Sequence, residues 1–220
     1  MNRVDYRLNA IVDGSLRDVG DLAALAAAAA AHGATIVQYR DKDASTRALV
    51  GQAAAIRAAL TGTGVPLVVN DRVDVALAAG ADGVHLGRDD MDAATARRLL
   101  GPAAIIGMTV KNAADADAAL AAPVDYACIG GVFETLSKHN PDLPVGIAGF
   151  SALRSHIARG LPRLPVGAIA GIDIARAREV VRAGASGVAV IAAIFRAPDV
   201  AAATQAMRRA VDDALGERPA

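Results

Sequence analysis

Short apolar runs rich in valine and isoleucine alternate along the chain with longer stretches of alanine, leucine and arginine at helical spacing. Runs that are apolar at every position are typical of strands covered on both faces, as in all-parallel sheets. A helical stretch follows each run, so the pattern predicts repeated strand–helix units. The predicted strands are residues 8–12, 35–39, 67–69, 83–86, 105–108, 126–129, 165–169 and 187–191.

The predicted helices are residues 19–31, 45–60, 72–79, 93–100, 113–121, 149–158, 174–183 and 200–214. Eight parallel strands are better explained by a closed barrel than by an open sheet, and 220 residues is close to the usual length of such a barrel. No proline-, serine- or charge-rich linker interrupts the chain. The sequence therefore predicts an α/β protein with one domain, a single (β/α)8 TIM barrel over residues 1–220.

The approaches to the fourth and eighth predicted strands, residues 79–84 and 183–188, have similar sequences. One interpretation is an internal repeat of two half-barrels. The other is that both segments are helices ended by glycine that enter buried strands, because glycine just past a helix end supplies a left-handed cap. Six positions do not separate the two interpretations.

The charge balance, 23 basic against 23 acidic residues, gives no general attraction to nucleic acid or anionic membranes. Residues 1–9 lack the apolar stretch of a secretory signal, and the longest low-polarity run, residues 22–31, is shorter than the roughly 20 residues that span a bilayer. Cys128 is the only cysteine and is expected to be a buried, inert thiol. We predict a cytoplasmic protein that acts on small molecules, and homo-oligomerisation stays open.

Residues just past the carboxyl ends of barrel strands line the active site of this fold. The polar residues at these positions are Gln38, Arg40, Lys42, Asn70, Asp71, Asp89, Asp90, Thr109, Lys111, Thr135, Ser137 and Lys138. Gly171 and the pair Ile191 and Ala192 follow the last two strands, a frequent phosphate site whose backbone amides can bind an anion. The alternative for Gly171 is an ordinary turn glycine.

Gln38, Arg40 and Lys42 alternate along an extended segment, so their side chains are expected on one side. Two cations and an amide donor suit a cluster of anionic oxygens such as a diphosphate. The alternative is a solvated run of charges from position 40 to position 43, whose signs cancel.

Asp71 and Asp90 end adjacent predicted strands, where two carboxylates suit Mg²⁺ completed by substrate phosphates and water. Each aspartate alone is equally explained as a helix N-cap, so only their joint position favours a metal. His85 is predicted to be a hydrogen-bonded core residue, whereas His139 could approach a ligand. We find no catalytic triad, zinc-ligand spacing, Walker-type loop or dinucleotide motif, so the chemistry should depend on metal, cations and positioning.

The same positions resemble the thiamine phosphate synthase family. The matching stretches occur in the order and spacing typical of the family and are residues 38–42, 69–71, 82–91, 106–109, 125–138 and 166–194. The resemblance implies coupling of 4-amino-5-hydroxymethyl-2-methylpyrimidine diphosphate to a thiazole phosphate carboxylate. The products would be thiamine phosphate, diphosphate and carbon dioxide.

The resemblance also implies a role for each candidate residue. Arg40, Lys42 and Lys138 would act in catalysis and, with Gln38, Asn70 and Thr109, bind the pyrimidine diphosphate. Asp71 and Asp90 would bind Mg²⁺. The thiazole phosphate would be bound by Thr135, Ser137, Gly171, Ile191 and Ala192.

The sequence departs from the family at four positions. Gly131 stands where proline is common, Leu136 where small residues are usual, Ala170 where glycine is common, and Ala192 where serine is common. The missing serine hydroxyl predicts weaker binding of thiazole phosphate without loss of activity.

Three alternatives remain at this point. A thiazole tautomerase of the same fold would carry an acid/base histidine at position 131, which is glycine here. A non-catalytic barrel that senses thiamine precursors would not need the complete diphosphate and metal set. A sugar-phosphate isomerase or epimerase would need positioned acid/base residues that the sequence does not offer.

Overall fold

The computed structural model describes residues 4–135 and 143–218. Eight parallel strands pair in chain order and close into one barrel, which confirms the predicted (β/α)8 fold. Leu136, Ser137, Lys138 and His139 lie outside the described residues. The strands are β1 (Leu8–Asp13), β2 (Ile36–Arg40), β3 (Leu67–Asn70), β4 (Gly83–Leu86), β5 (Ile105–Val110), β6 (Tyr126–Ile129), β7 (Val166–Ile169) and β8 (Gly187–Val190).

The helices surround the barrel and begin mostly at Asp, Asn or Ser side chains that accept a backbone N–H in the first turn, as Asp21 does from Ala24 at 2.8 Å. A 3-10 turn, Gly14–Asp18, and a four-residue helix after β8 were not predicted. The helices are α1 (Leu22–Ala31), α2 (Thr46–Ala59), α3 (Val73–Ala79), α4 (Ala93–Leu100), α5 (Ala113–Ala121), α6 (Gly146–Gly160), α7 (Ile174–Arg182), α8 (Ala192–Phe195) and α9 (Val200–Gly216). None of the helices within the described ranges is long and apolar enough to cross a membrane.

The apolar side chains form two clusters, one between the strands and the surrounding helices and a smaller one inside the barrel. Tyr6 and Tyr126 fill the barrel interior, and their rings occupy the space that side chains at Gly167 and Gly107 would take. Cys128 lies in this inner cluster, where burial raises the pKa of its thiol to about 12. Because the thiolate is the reactive form, the prediction of an inert cysteine agrees with this environment.

One contact recurs at the amino-terminal end of the barrel. The residue before each even-numbered strand accepts a hydrogen bond from a backbone N–H at the start of the preceding odd-numbered strand. The pairs are Thr35 with Leu8 at 2.9 Å, Asp82 with Leu67 at 2.8 Å, Asp125 with Ile106 at 2.9 Å and Ser186 with Val166 at 3.2 Å. Gly80 and Gly184, just past α3 and α7, both have a positive φ, as expected for helices ended by glycine. An internal repeat of two half-barrels stays a prediction.

Candidate active site

A cavity of about 870 Å³ opens at the carboxyl ends of the strands. Residues from strands and loops around the whole barrel line it. It brings together the predicted site residues Gln38, Arg40, Lys42, Asn70, Asp71, Asp90, Thr109, Thr135, Gly171, Ile191 and Ala192. Ser137 and Lys138, also predicted for this site, lie outside the described residues.

Three of the charged residues at and just after the end of β2 are paired with partners elsewhere in the fold. Arg40 Nη1 lies 2.5 Å from Asp13 Oδ2, at the end of β1. Lys42 pairs with Asp71, and Asp41 lies 2.5 Å from Arg17. Arg40, Asp41 and Lys42 are therefore paired with residues outside this run, whereas Lys42 and Asp43 are exposed to solvent, as that alternative expects.

A chain of buried amides links the first three strands inside the barrel. Asn9 Nδ2 donates to Gln38 Oε1 at 3.1 Å, and Gln38 Nε2 donates to Asn70 Oδ1 at 2.9 Å. Asn9 is fully buried and Gln38 is 3% exposed. These bonds fix the amide of Gln38 and orient Asn70 at the cavity wall.

Asp71 and Asp90 meet beside Lys42, and neither carboxylate caps a helix. Helix α3 begins after Arg72 without a side-chain cap, and Asp92 caps α4. Asp71 has a φ of +64°, and its backbone N–H donates to His85 O at 2.8 Å. Asp90 instead accepts from Gly87 N at 2.6 Å. The N-cap alternative is therefore wrong for both residues.

The two carboxyl groups lie close enough to share a hydrogen bond. Burial, and then the neighbouring Asp71, raise the pKa of Asp90 above its ordinary value. Burial also acts to raise the pKa of Asp71, but hydrogen bonds with Lys42 and Asp90 outweigh it, so this pKa is lowered. Such opposite shifts are expected where two carboxyl groups share one site.

This donor set fits Mg²⁺, which is commonly bound by one or two carboxylates together with water and substrate phosphates. Among the described residues no group of three or more His, Cys, Asp or Glu side chains could hold a metal. A metal at Asp71 and Asp90 would thus depend on oxygen atoms from substrate and water to complete its coordination.

His85 is buried and hydrogen-bonded, as predicted, and it also lines the cavity. Hydrogen bonds join its Nδ1 to Tyr126 Oη at 3.0 Å and its Nε2 to Thr109 Oγ1 at 2.8 Å. Val84 and Leu86, its neighbours on β4, face the surrounding helices. The alternation of a strand could have placed His85 inside the barrel from sequence alone.

Arg176 is a second cavity residue that the sequence analysis missed. Its Nη1 donates to Gly171 O at 2.8 Å, and its guanidinium lies 4.6 Å from the centre of the Phe133 ring. Arg176 lies in the first turn of α7, beyond the few residues that directly follow β7.

Besides Asp71, three residues of the cavity loops have a positive φ: Gly131 at +67°, Ala170 at +90° and Gly171 at +63°. A side chain at Gly171 would collide with the carbonyl oxygen of Glu134. Proline is restricted to a φ of about −65° and could not adopt the conformation of Gly131. This loop therefore follows a path that is closed to proline at position 131.

We predict that Ala170→Gly raises the free energy of unfolding by about 0.5–1 kcal/mol. Left-handed backbone costs a residue with a Cβ roughly 1–2 kcal/mol, and the greater freedom of glycine in the unfolded chain offsets part of this gain. Thermal unfolding should show a melting temperature higher by about 1–4 °C. Ala54→Gly, an exposed position within α2, is the control and should lower stability by about 1 kcal/mol. A lower melting temperature for Ala170→Gly would contradict the strain argument.

Ile191 and Ala192 form the start of the short helix α8. The first N–H groups of a helix have no partner within it and carry partial positive charge. In this fold a short extra helix after the last strand is a frequent phosphate site, together with the loop after the seventh strand. Gly171 in that loop lines the same cavity.

Comparison with known proteins gives one consistent family. The sequence model of the family described as thiamine monophosphate synthase matches residues 8–194. The chain is 66% identical over 99% of both chains to "Thiamine-phosphate synthase" of Agrobacterium fabrum. It is 44% identical over 94% of both chains to the protein of the same name from Chloroflexus aurantiacus.

Among solved structures, thiamine phosphate pyrophosphorylase from Pyrococcus furiosus superposes with a TM-score of 0.83 at 34% identity, covering 97% of this chain and 99% of that one. Orotidine 5'-phosphate decarboxylase from Pyrococcus horikoshii has a TM-score of 0.67 at 16% identity, over 93% of this chain and 99% of that one. That second likeness shows the barrel fold alone.

Proposed function

The chain belongs to the thiamine monophosphate synthase family, and we propose that it couples a pyrimidine diphosphate to a thiazole phosphate. The substrates are 4-amino-5-hydroxymethyl-2-methylpyrimidine diphosphate and the carboxylate of thiazole phosphate, and the products are thiamine phosphate, diphosphate and carbon dioxide. The observation that carries the proposal is that Arg40, Lys42, Asp71 and Asp90 line one cavity. The two cations of this cavity can bind a diphosphate directly, and the two carboxylates can bind a metal ion that contacts the same diphosphate.

The proposed role of Asp71 and Asp90 is to hold Mg²⁺. When bound, Mg²⁺ supplies Lewis-acid neutralisation of the charge that develops on the departing diphosphate. The ion pair of Lys42 with Asp71 places the ammonium group beside this carboxylate pair. Lys42 can therefore bind the same diphosphate as the metal does.

The proposed role of Arg40, Lys42 and Lys138 is to stabilise the leaving group as the carbon–oxygen bond breaks. Fixed cations are effective there because they need no reorganisation while charge moves onto the diphosphate. The thiazole nitrogen captures the resulting pyrimidine methylene cation, and loss of carbon dioxide completes the product. This route requires no strong protein base. Gln38, Asn70 and Thr109 would bind and orient the pyrimidine substrate.

The proposed thiazole phosphate site consists of Thr135, Ser137, Gly171 and the backbone of Ile191 and Ala192, of which Gly171, Ile191 and Ala192 follow β7 and β8. In a closed eight-stranded order, β7 lies opposite β3. The two substrates would therefore be bound from opposite walls, with their reacting atoms between them. Such placement lowers the entropic cost of bringing two reactants together.

We predict that Ala192→Ser lowers the Michaelis constant for thiazole phosphate. A hydroxyl at the start of α8 would add one hydrogen bond to a charged group, worth about 1.5–3 kcal/mol, or roughly tenfold to a hundredfold in affinity. Steady-state kinetics with the pyrimidine diphosphate held saturating would measure the change. An unchanged Michaelis constant would mean that residue 192 does not contact the phosphate.

The proposed reaction is tested by supplying both substrates to the whole protein, with and without Mg²⁺, and assaying thiamine phosphate. Product that requires Mg²⁺ is the expected result. Equal product after chelation would overturn the metal assignment. Tight binding of either substrate without any product would favour a sensor over an enzyme.

The tautomerase alternative is not favoured, because Gly131 offers no acid or base at the cavity. A cytoplasmic location, the absence of nucleic-acid partners and homo-oligomerisation remain predictions.

A further inference from the structure

The cations of the cavity differ in whether a carboxylate neutralises them. Arg40 pairs with Asp13, Lys42 with Asp71, and Arg88 makes two hydrogen bonds of 2.8 Å and 2.9 Å to Asp115. Arg176 has no carboxylate within ion-pairing distance among residues 4–135 and 143–218. It therefore brings a full positive charge to the cavity wall.

The guanidinium of Arg176 is fixed against one loop. It donates to Gly171 O at 2.8 Å and stacks 4.6 Å from the Phe133 ring centre, and Phe133 N in turn donates to Ala170 O at 3.2 Å. Arginine has five N–H donors in a rigid fork, so one bond to Gly171 leaves others for a ligand. A cation held in place loses little conformational freedom when it binds an anion.

A phosphate monoester at this wall needs such a charge. It carries a charge of about −1.5 to −2 at neutral pH, whereas a helix N-terminus supplies only about half a positive charge. The position after β8 offers no hydroxyl, because residue 192 is alanine. The cations at the end of β2 are instead paired with carboxylates, Arg40 with Asp13 and Lys42 with Asp71.

We propose that Arg176 binds the phosphate group of the thiazole substrate and sets the preference for the phosphorylated thiazole over its free alcohol. This inference rests on the proposed function, since it assigns that substrate to the wall formed by β7 and β8. The competing explanation is that Arg176 only braces the loop at Gly171. The two explanations differ in whether the effect of removing Arg176 depends on the substrate's phosphate.

The test measures dissociation constants by calorimetry for the thiazole phosphate carboxylate and for the same thiazole carrying a free hydroxyl. The proteins are the unmodified chain, Arg176→Ala, Arg176→Lys and the control Arg178→Ala, which changes an arginine of α7 outside the cavity lining. Arg176→Ala should weaken binding of the phosphorylated thiazole about tenfold to a hundredfold and change binding of the alcohol less than about twofold. Arg176→Lys should recover part of the loss, and Arg178→Ala should match the unmodified chain.

Equal weakening for the phosphate and the alcohol would overturn the proposal in favour of a brace, and no weakening would overturn it outright. Binding of the pyrimidine diphosphate, measured on the same proteins, should stay unchanged; a parallel loss would also contradict a contact confined to the thiazole site. Failure of the proposed function is seen separately, as absence of thiamine phosphate with the unmodified chain. Calorimetry measures binding without turnover. The role of Arg176 is therefore tested whether or not the protein forms thiamine phosphate.

Discussion

Asp71→Asn is expected to lower the rate of thiamine phosphate formation by about two to three orders of magnitude. The change removes one of two proposed magnesium ligands and the anionic partner of Lys42. Metal binding and charge neutralisation at a leaving group are each worth several kcal/mol, and every 1.36 kcal/mol is tenfold in rate. Single-turnover measurement of product, with both substrates saturating, would report the loss directly.

Asp43→Asn is the matched control, because Asp43 is an exposed carboxylate near the same end of the barrel but outside the cavity lining. It should keep the rate of the unmodified protein within about twofold, as expected for an exposed surface change. Asp90→Asn should resemble Asp71→Asn, and calorimetric titration with Mg²⁺ and diphosphate should show weaker binding in both. Full activity of Asp71→Asn at limiting Mg²⁺ would exclude this residue as a ligand.

Asp125→Ala is expected to lower the free energy of unfolding by about 3 kcal/mol. Asp125 is 6% exposed, lies 2.6 Å from Arg97 and accepts from Ile106 N at 2.9 Å. Removing one partner of a buried ion pair leaves the other charge and a backbone donor unsatisfied, which costs about 3–5 kcal/mol in fully buried cases. Because Arg97 is partly exposed, the expected loss of stability lies at the lower end of this range. Urea unfolding would measure the change.

Asp74→Ala supplies the comparison, because Asp74 forms a similar ion pair with Arg72 at 2.6 Å but on the surface. Exposed pairs of this kind contribute about 0–1 kcal/mol. If both variants lost the same stability, the contact before β6 would contribute no more than a surface ion pair. Loss of activity for Asp125→Ala at temperatures where it remains folded would instead indicate a role beyond stability.

Parts of the candidate site could be predicted because position along a barrel strand fixes position in space. Gln38 and Asn70 were found in this way, since the carboxyl ends of parallel strands meet at one mouth. The same rule could have found His85 through its alternation with Val84 and Leu86. It could not find Arg176, because this residue lies in the first turn of α7 and not directly after a strand.

Sequence alone determined the barrel, since strands apolar at every position must be covered on both faces and each is followed by a helix that covers it. It also determined which residue types gather at the mouth. Only the tertiary structure decided their partners: that Lys42 pairs with Asp71, that Asp71 and Asp90 cap no helix, and that no carboxylate of residues 4–135 and 143–218 pairs with Arg176. The physical reason is the separation in sequence between the groups that interact. Periodicity is a local property of the chain, whereas an ion pair or a hydrogen bond between side chains depends on groups far apart in sequence that only the closed fold brings into contact.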